Sequence, residues 1–150
     1  MKTVGLLLTF FFFYLCGFAQ INPTGTYIIG KGLRQEDNEA KGNFGEIRVK
    51  KISPTKVAVA LYVISDAPAY DSGDFVDTLT FRNNQAVFAK SGFDTSCRIY
   101  FGFSKSLLVV KQTSKIHPSP CGFGWNANIS GVYKKVSAKA PVIRDLTKDD

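Results

Sequence analysis

Cys97 and Cys121 are the residues whose chemistry follows most directly from their types, with 24 residues of separation between them. In an oxidising compartment such a pair forms one disulfide, which in the chain-entropy picture stabilises a fold by on the order of 3 kcal/mol. Nucleophilic catalysis would need a hydroxyl or thiol beside a base, and the one histidine is His117, in Ile116-His117-Pro118-Ser119-Pro120. Ser114 and Ser119 stand near it in sequence, but no nucleophile elbow aims either of them at an oxyanion hole. His117 therefore reads as an exposed loop residue. One histidine and two bridged cysteines make no zinc site. Asp66, Asp71, Asp74 and Asp77 could offer oxygens to calcium, yet their spacing is not that of an EF-hand, and solvated loop carboxylates are the expectation. Glu36 and Asp37 are adjacent, so on a strand they diverge instead of facing each other across a glycosidic bond. Cys121-Gly122-Phe123-Gly124 lacks the lysine and helix of a phosphate-cradling loop. Its glycines instead let Phe123 or Trp125 fold over one end of the domain beside the bridge. Exposed, those aromatics make a binding patch; buried, they plug the core, and burial is the expectation. The sequence predicts no catalytic residue, no metal and no cofactor.

The two cysteines act as a pair only if the chain is exported. Lys2, an apolar run over residues 4–15 and the small residues Gly17 and Ala19 before Gln20 have the form of a secretory leader cleaved after Ala19. Cleavage removes Cys16, and it leaves roughly 130 residues, the size of one domain with a real core. Bulky Phe13, Tyr14 and Leu15 before Cys16 argue against a lipid anchor there. After cleavage no stretch reaches the roughly 20 apolar residues of a membrane-spanning helix, so the mature chain is expected not to cross a membrane. Lys and Arg outnumber Asp and Glu for a net charge of +7, of which Lys2 leaves with the leader. Such an excess steers a protein toward acidic surfaces, but a secreted or periplasmic location argues against nucleic acid. Asn128-Ile129-Ser130 is a glycosylation sequon, relevant only to a eukaryotic secretory route.

Period-two alternation must supply the elements that position these residues. Strands are predicted over residues 25–29, 46–52, 56–65, 75–81, 85–90, 97–103, 107–112 and 131–136. The strongest places Val57, Val59, Leu61 and Val63 on one face. Asn83-Asn84 suits the positive φ angles of a tight hairpin. The fold class is all-β, with about eight short, mostly antiparallel strands forming a small barrel or sandwich with one disulfide, and a barrel is preferred. Gly25-Thr26-Tyr27 and Gly131-Val132-Tyr133 look alike, as if the first and last strands met and closed the sheet. The organisation is a signal peptide over 1–19, a single β domain over 20–137 and a flexible C-terminal tail over 138–150. Residues 33–43 read as a polar loop or one helical turn.

Cys97-Arg98-Ile99-Tyr100-Phe101, the apolar residues 107–110, Cys121-Gly122-Phe123-Gly124 and Gly131-Val132-Tyr133-Lys134 together resemble small secreted bacterial domains of lysozyme-inhibitor-like type. The likeness covers residues 97–135. It implies a β-barrel whose loop enters the lysozyme cleft and engages the catalytic carboxylates, with Ser130, Tyr133 and Lys134 as the positions that match. The alternative from the residues themselves is that Gly131 permits close strand packing, Tyr133 fills the core and Lys134 faces solvent. The basic charge also slows encounter with a cationic lysozyme. The expected function is that of a secreted or periplasmic, non-enzymatic binding protein for an envelope or extracellular macromolecule, with Phe123, Trp125, Ser130, Tyr133 and Lys134 as candidate contacts. A carrier of a small apolar ligand inside a lipocalin-like barrel is the alternative.

Overall fold

Alternating apolar residues become eight strands that close on themselves. The computed structural model describes residues 20–31, 42–66, 68, 70–89 and 94–148. Residues 1–19, read from the sequence as a leader and including Cys16 and Ala19, and the acidic run that holds Glu36 and Asp37 lie outside the described residues. The strands are β1 (Gly25–Ile29), β2 (Phe44–Ser53), β3 (Lys56–Ile64), β4 (Ser72–Arg82), β5 (Gln85–Phe88), β6 (Arg98–Phe103), β7 (Leu107–Thr113) and β8 (Gly131–Ser137). They form a closed barrel in sequence order, each antiparallel to the next, and β8 returns to β1. Closure satisfies the backbone groups that an edge strand would leave unpaired.

Sequence parity decides which side chains fill the interior. Val57, Val59, Leu61 and Val63 are all buried, and the register pairs Val59 with Val49 and Leu61 with Ile47 across β2. Aromatic rings occupy the centre: Phe75 stacks on Phe88 at 4.3 Å and meets Phe101 edge-on, while Phe103 meets Tyr27 and Phe81 edge-on. Each fully buried large apolar side chain contributes about 1.5–3 kcal/mol relative to exposure. The two Gly-x-Tyr segments do lie on neighbouring strands, although Tyr27 sits opposite Lys135 and not opposite Tyr133. Both tyrosines are buried, and each hydroxyl donates to the carbonyl four residues earlier, Tyr27 to Pro23 at 2.7 Å and Tyr133 to Ile129 at 2.6 Å. Burial pushes the Tyr27 phenol up to about 12 and raises Tyr133 as well.

The chain after β8, read from the sequence as a frayed tail, follows a defined course in the structure as far as Lys148. A 3-10 turn at Leu146–Lys148 lies against β3, Leu146 is buried, and Ala60 on the outer side of β3 has no exposed surface. Alanines at 58 and 60 leave room for that cover.

The two barrel ends differ in kind. One is built from tight turns: Pro54-Thr55, then Asn83-Asn84 with φ of 50° and 60°, then residues 104–106. The other carries the longer connections, and residues 114–130 are the longest that is fully described.

Candidate functional site at the long-loop end

Residues 114–130 cross the barrel mouth and turn apolar groups inward. Phe123, Ala127 and Ile129 are buried there. Phe123 lies so close to Gly73 of β4 that a Cβ at that glycine would stand 2.7 Å from its ring. The chain reaches this path through left-handed backbone at Ser119, Cys121 and Gly122, with φ of 65°, 61° and 70°. For a residue with a Cβ that conformation costs about 1–2 kcal/mol, so the segment must be held from outside.

Three fastenings hold it. The Cys97–Cys121 disulfide joins the loop to the start of β6. Asp94, buried without exposed surface, receives four hydrogen bonds: Ser96 donates through its amide at 3.0 Å and its hydroxyl at 2.6 Å, the Ser114 hydroxyl at 2.7 Å and the Cys121 amide at 2.8 Å. Burial raises its pKa, but those donors from Ser96, Ser114 and Cys121 outweigh it and bring the carboxyl down to about 2. Asp94 therefore stays ionised and acts as an internal staple. Gln112 supplies the third fastening, its carboxamide accepting from the Ile129 amide at 2.9 Å and donating to the Ala127 carbonyl at 3.2 Å. Neighbouring loops join in, since the Asn43 side chain donates to the Asn128 carbonyl and the Asn126 amide donates to Asp71.

Asp94, Cys97 and Cys121 place three possible metal-ligating atoms close together. Both sulfurs are consumed by the bridge, and Asp94 is saturated with donors, so the group is a structural staple. Among the described residues Asp66, Asp71, Asp74 and Asp77 do not gather into a cation site.

Beside the fastened loop lies a cleft of about 430 Å³, lined by Gln112, Thr113, Ser114, His117, Pro120, Asn126, Ala127 and Asn128. Ser114 is engaged by Asp94 and by the Ile116 amide, so its hydroxyl is not paired with His117. The His117 ring and the Asn126 carboxamide have no hydrogen-bond partner among the described residues, and both residues are exposed. A smaller concavity of about 200 Å³ lies on the outer wall over Gly102, between Tyr100 and Val109.

The candidates singled out from the sequence separate here. Cys97 and Cys121 are bonded as expected. Phe123 is core as expected, whereas Trp125, also expected to be buried, is 62% exposed, so the two aromatics do not form one patch. Tyr133 is core, the Ser130 hydroxyl accepts from the Gln112 amide at 3.0 Å, and Lys134 alone of that trio points freely into solvent. The trio is thus not presented together on a projecting loop, because β8 alternation sends Tyr133 inward and Lys134 outward. Sequence reasoning missed Asp94, Gln112 and Asn126, and it read Asn128 only as part of a glycosylation sequon. Asp94-Thr95-Ser96 carries the signal of a turn whose aspartate accepts from the residue two positions on, but nothing local announces its bonds to Ser114 and Cys121.

Fold and site together define an eight-stranded up-and-down barrel with one mouth closed by a disulfide-fastened loop. Comparison with known proteins finds no family model, no curated protein and no solved structure that matches this chain.

Proposed function

We propose that this is an exported, non-enzymatic binding protein that meets an envelope or extracellular macromolecule with its long-loop end. The observation that carries this reading is the fastening of residues 114–130 by one covalent bridge, a saturated buried carboxylate and the Gln112 side chain. That investment fixes His117, Trp125 and Asn126, whose exposed side chains have no fold-supporting bond among the described residues. A loop that displays polar and aromatic groups on a rigid scaffold is the usual architecture of a binding site. The disulfide suits an oxidising compartment and so supports export. A binding role is favoured over catalysis because Ser114 is tied to Asp94 and not to His117. It is favoured over ligand carriage because aromatic rings occupy the barrel interior.

Lysozyme inhibition is the narrower version. It would rest on Lys134 without Ser130 and Tyr133, so the broader reading is preferred. Sedimentation of the mature protein with purified bacterial envelope fragments tests the proposal. The expected result is retention that survives physiological salt and is lost in Trp125→Ala. Absence of retention, or retention that salt abolishes and Trp125→Ala leaves unchanged, contradicts it. Unchanged wall lysis by lysozyme at excess protein removes the inhibitory version.

A further inference from the structure

The cleft beside residues 114–130 has a definite chemical character. Its described lining contains carboxamides, hydroxyls and one imidazole, and it holds no carboxylate, ammonium or guanidinium group. An ionic ligand would find no counter-charge in that lining, and an apolar segment would find only Pro120 and Ala127 to cover. Several lining groups are already spent on the fold. Gln112 clamps the loop, Ser114 serves Asp94, and the Asn128 carbonyl oxygen of its side chain accepts from the Ser130 amide at 3.0 Å. What remains for a ligand is the Asn126 carboxamide, the Asn128 side-chain amide nitrogen and the His117 ring, none of which has a partner among the described residues.

A carboxamide offers a donor and an acceptor about one hydroxyl spacing apart, and imidazole adds one of each when neutral. That set matches vicinal hydroxyls. Trp125 immediately precedes Asn126 on the same turn and is 62% exposed. An indole offers a broad apolar face with a polar edge, suited to a partner that is apolar on one face and polar at its rim. A pyranose ring has that form, with C–H groups on its face and hydroxyls around it. We propose that this cleft binds an uncharged saccharide chain, with Asn126, Asn128 and His117 taking the hydroxyls and Trp125 stacking on a neighbouring ring. The inference rests on the binding role proposed above and gives its partner a chemistry.

Trp125 is the single tryptophan of the chain, so its fluorescence reports on this turn alone. Chitotriose and cellotriose are the two probes, one carrying N-acetyl groups and the other hydroxyls only. With either, the structure leads us to expect a saturable change in Trp125 emission. Asn126→Ala should weaken the binding several-fold, and Trp125→Ala, followed by calorimetry, by roughly tenfold. Val142→Ser, in the C-terminal segment beyond β8, should leave it unchanged. A response to chitotriose alone assigns the acetamido group a place in the cleft; equal responses assign recognition to the ring hydroxyls. Near-ultraviolet circular dichroism of each variant separates loss of contact from loss of fold. Absence of any change with both sugars, while envelope fragments still retain the protein, overturns the saccharide chemistry and leaves the binding role standing. Binding that Asn126→Ala and Trp125→Ala both fail to weaken overturns the assignment to this cleft.

Discussion

The tight-turn end and the long-loop end terminate the same eight strands, yet different physics holds them. At the tight-turn end the contacts that close each turn are short in sequence: Asn83 and Asn84 turn a hairpin in left-handed backbone, and the Ser104 amide donates to the Leu107 carbonyl at 2.9 Å. Distant bonds, such as that from the Ile21 amide to the Asn84 side chain at 2.9 Å, are added to turns already closed. At the long-loop end they are distant: Asp94 reaches Cys121 over 27 residues and Asn43 reaches Asn128 over 85. The first end closes the chain economically. The second gathers partners from several connections to hold strained backbone in one place, which is the condition for displaying side chains that serve something other than the fold.

If that contrast is right, substitutions should sort by end. Asp94→Ala is expected to cost the most, roughly 3–5 kcal/mol by denaturant unfolding, because it strands buried donors from Ser96, Ser114 and Cys121. Its acid dependence has a definite sign. A carboxyl held at about 2 when folded, against about 3.9 when unfolded, contributes stability that is complete above the unfolded value. That contribution is lost as pH falls from about 4 toward 2. The wild-type protein should therefore lose stability over that window more steeply than the variant. Replacing Cys97 and Cys121 together by serine should cost about 3 kcal/mol, with the perturbation in amide spectra centred on residues 114–130.

Asn83→Ala tests the other end. Forcing alanine into left-handed backbone is expected to cost about 1–2 kcal/mol without disturbing the cleft. A larger loss than for the disulfide pair would break the comparison. Smallest of all, Lys134→Ala should move stability by less than about 0.5 kcal/mol. It should also leave envelope retention unchanged, since Lys134 lies on the wall and not in the cleft.

The same contrast explains what could be read from the sequence. The wall was legible because side-chain direction alternates with every residue: Val57 to Val63 announced the buried face of β3, and Asn83-Asn84 announced its hairpin. Pairing of β1 with β8 was legible from two short look-alike segments. The disulfide was legible from Cys97 and Cys121 once the chain was expected to be exported. The lid was not legible, because its determinants are single residues whose partners lie far away in sequence. Phe123 and Trp125 look equivalent in Cys121-Gly122-Phe123-Gly124-Trp125, and only the close approach to Gly73 decides that Phe123 is the plug. The matching trio Ser130, Tyr133 and Lys134 failed as a unit for the opposite reason, since strand alternation, which was visible, already sends Tyr133 inward. Docking of Leu146 on β3 lay beyond any periodicity, because one buried residue in a short 3-10 turn makes no pattern.

Amide hydrogen exchange across residues 114–130, with the bridge intact and then reduced, tests the central claim most directly. The amides of Cys121, Asn126, Ala127 and Ile129, bonded to Asp94, Asp71, Gly124 and Gln112, are expected to be protected as strongly as those of the neighbouring strands. That protection should fall on reduction while β2 and β3 keep theirs. Free exchange of those four amides with the bridge intact would contradict it.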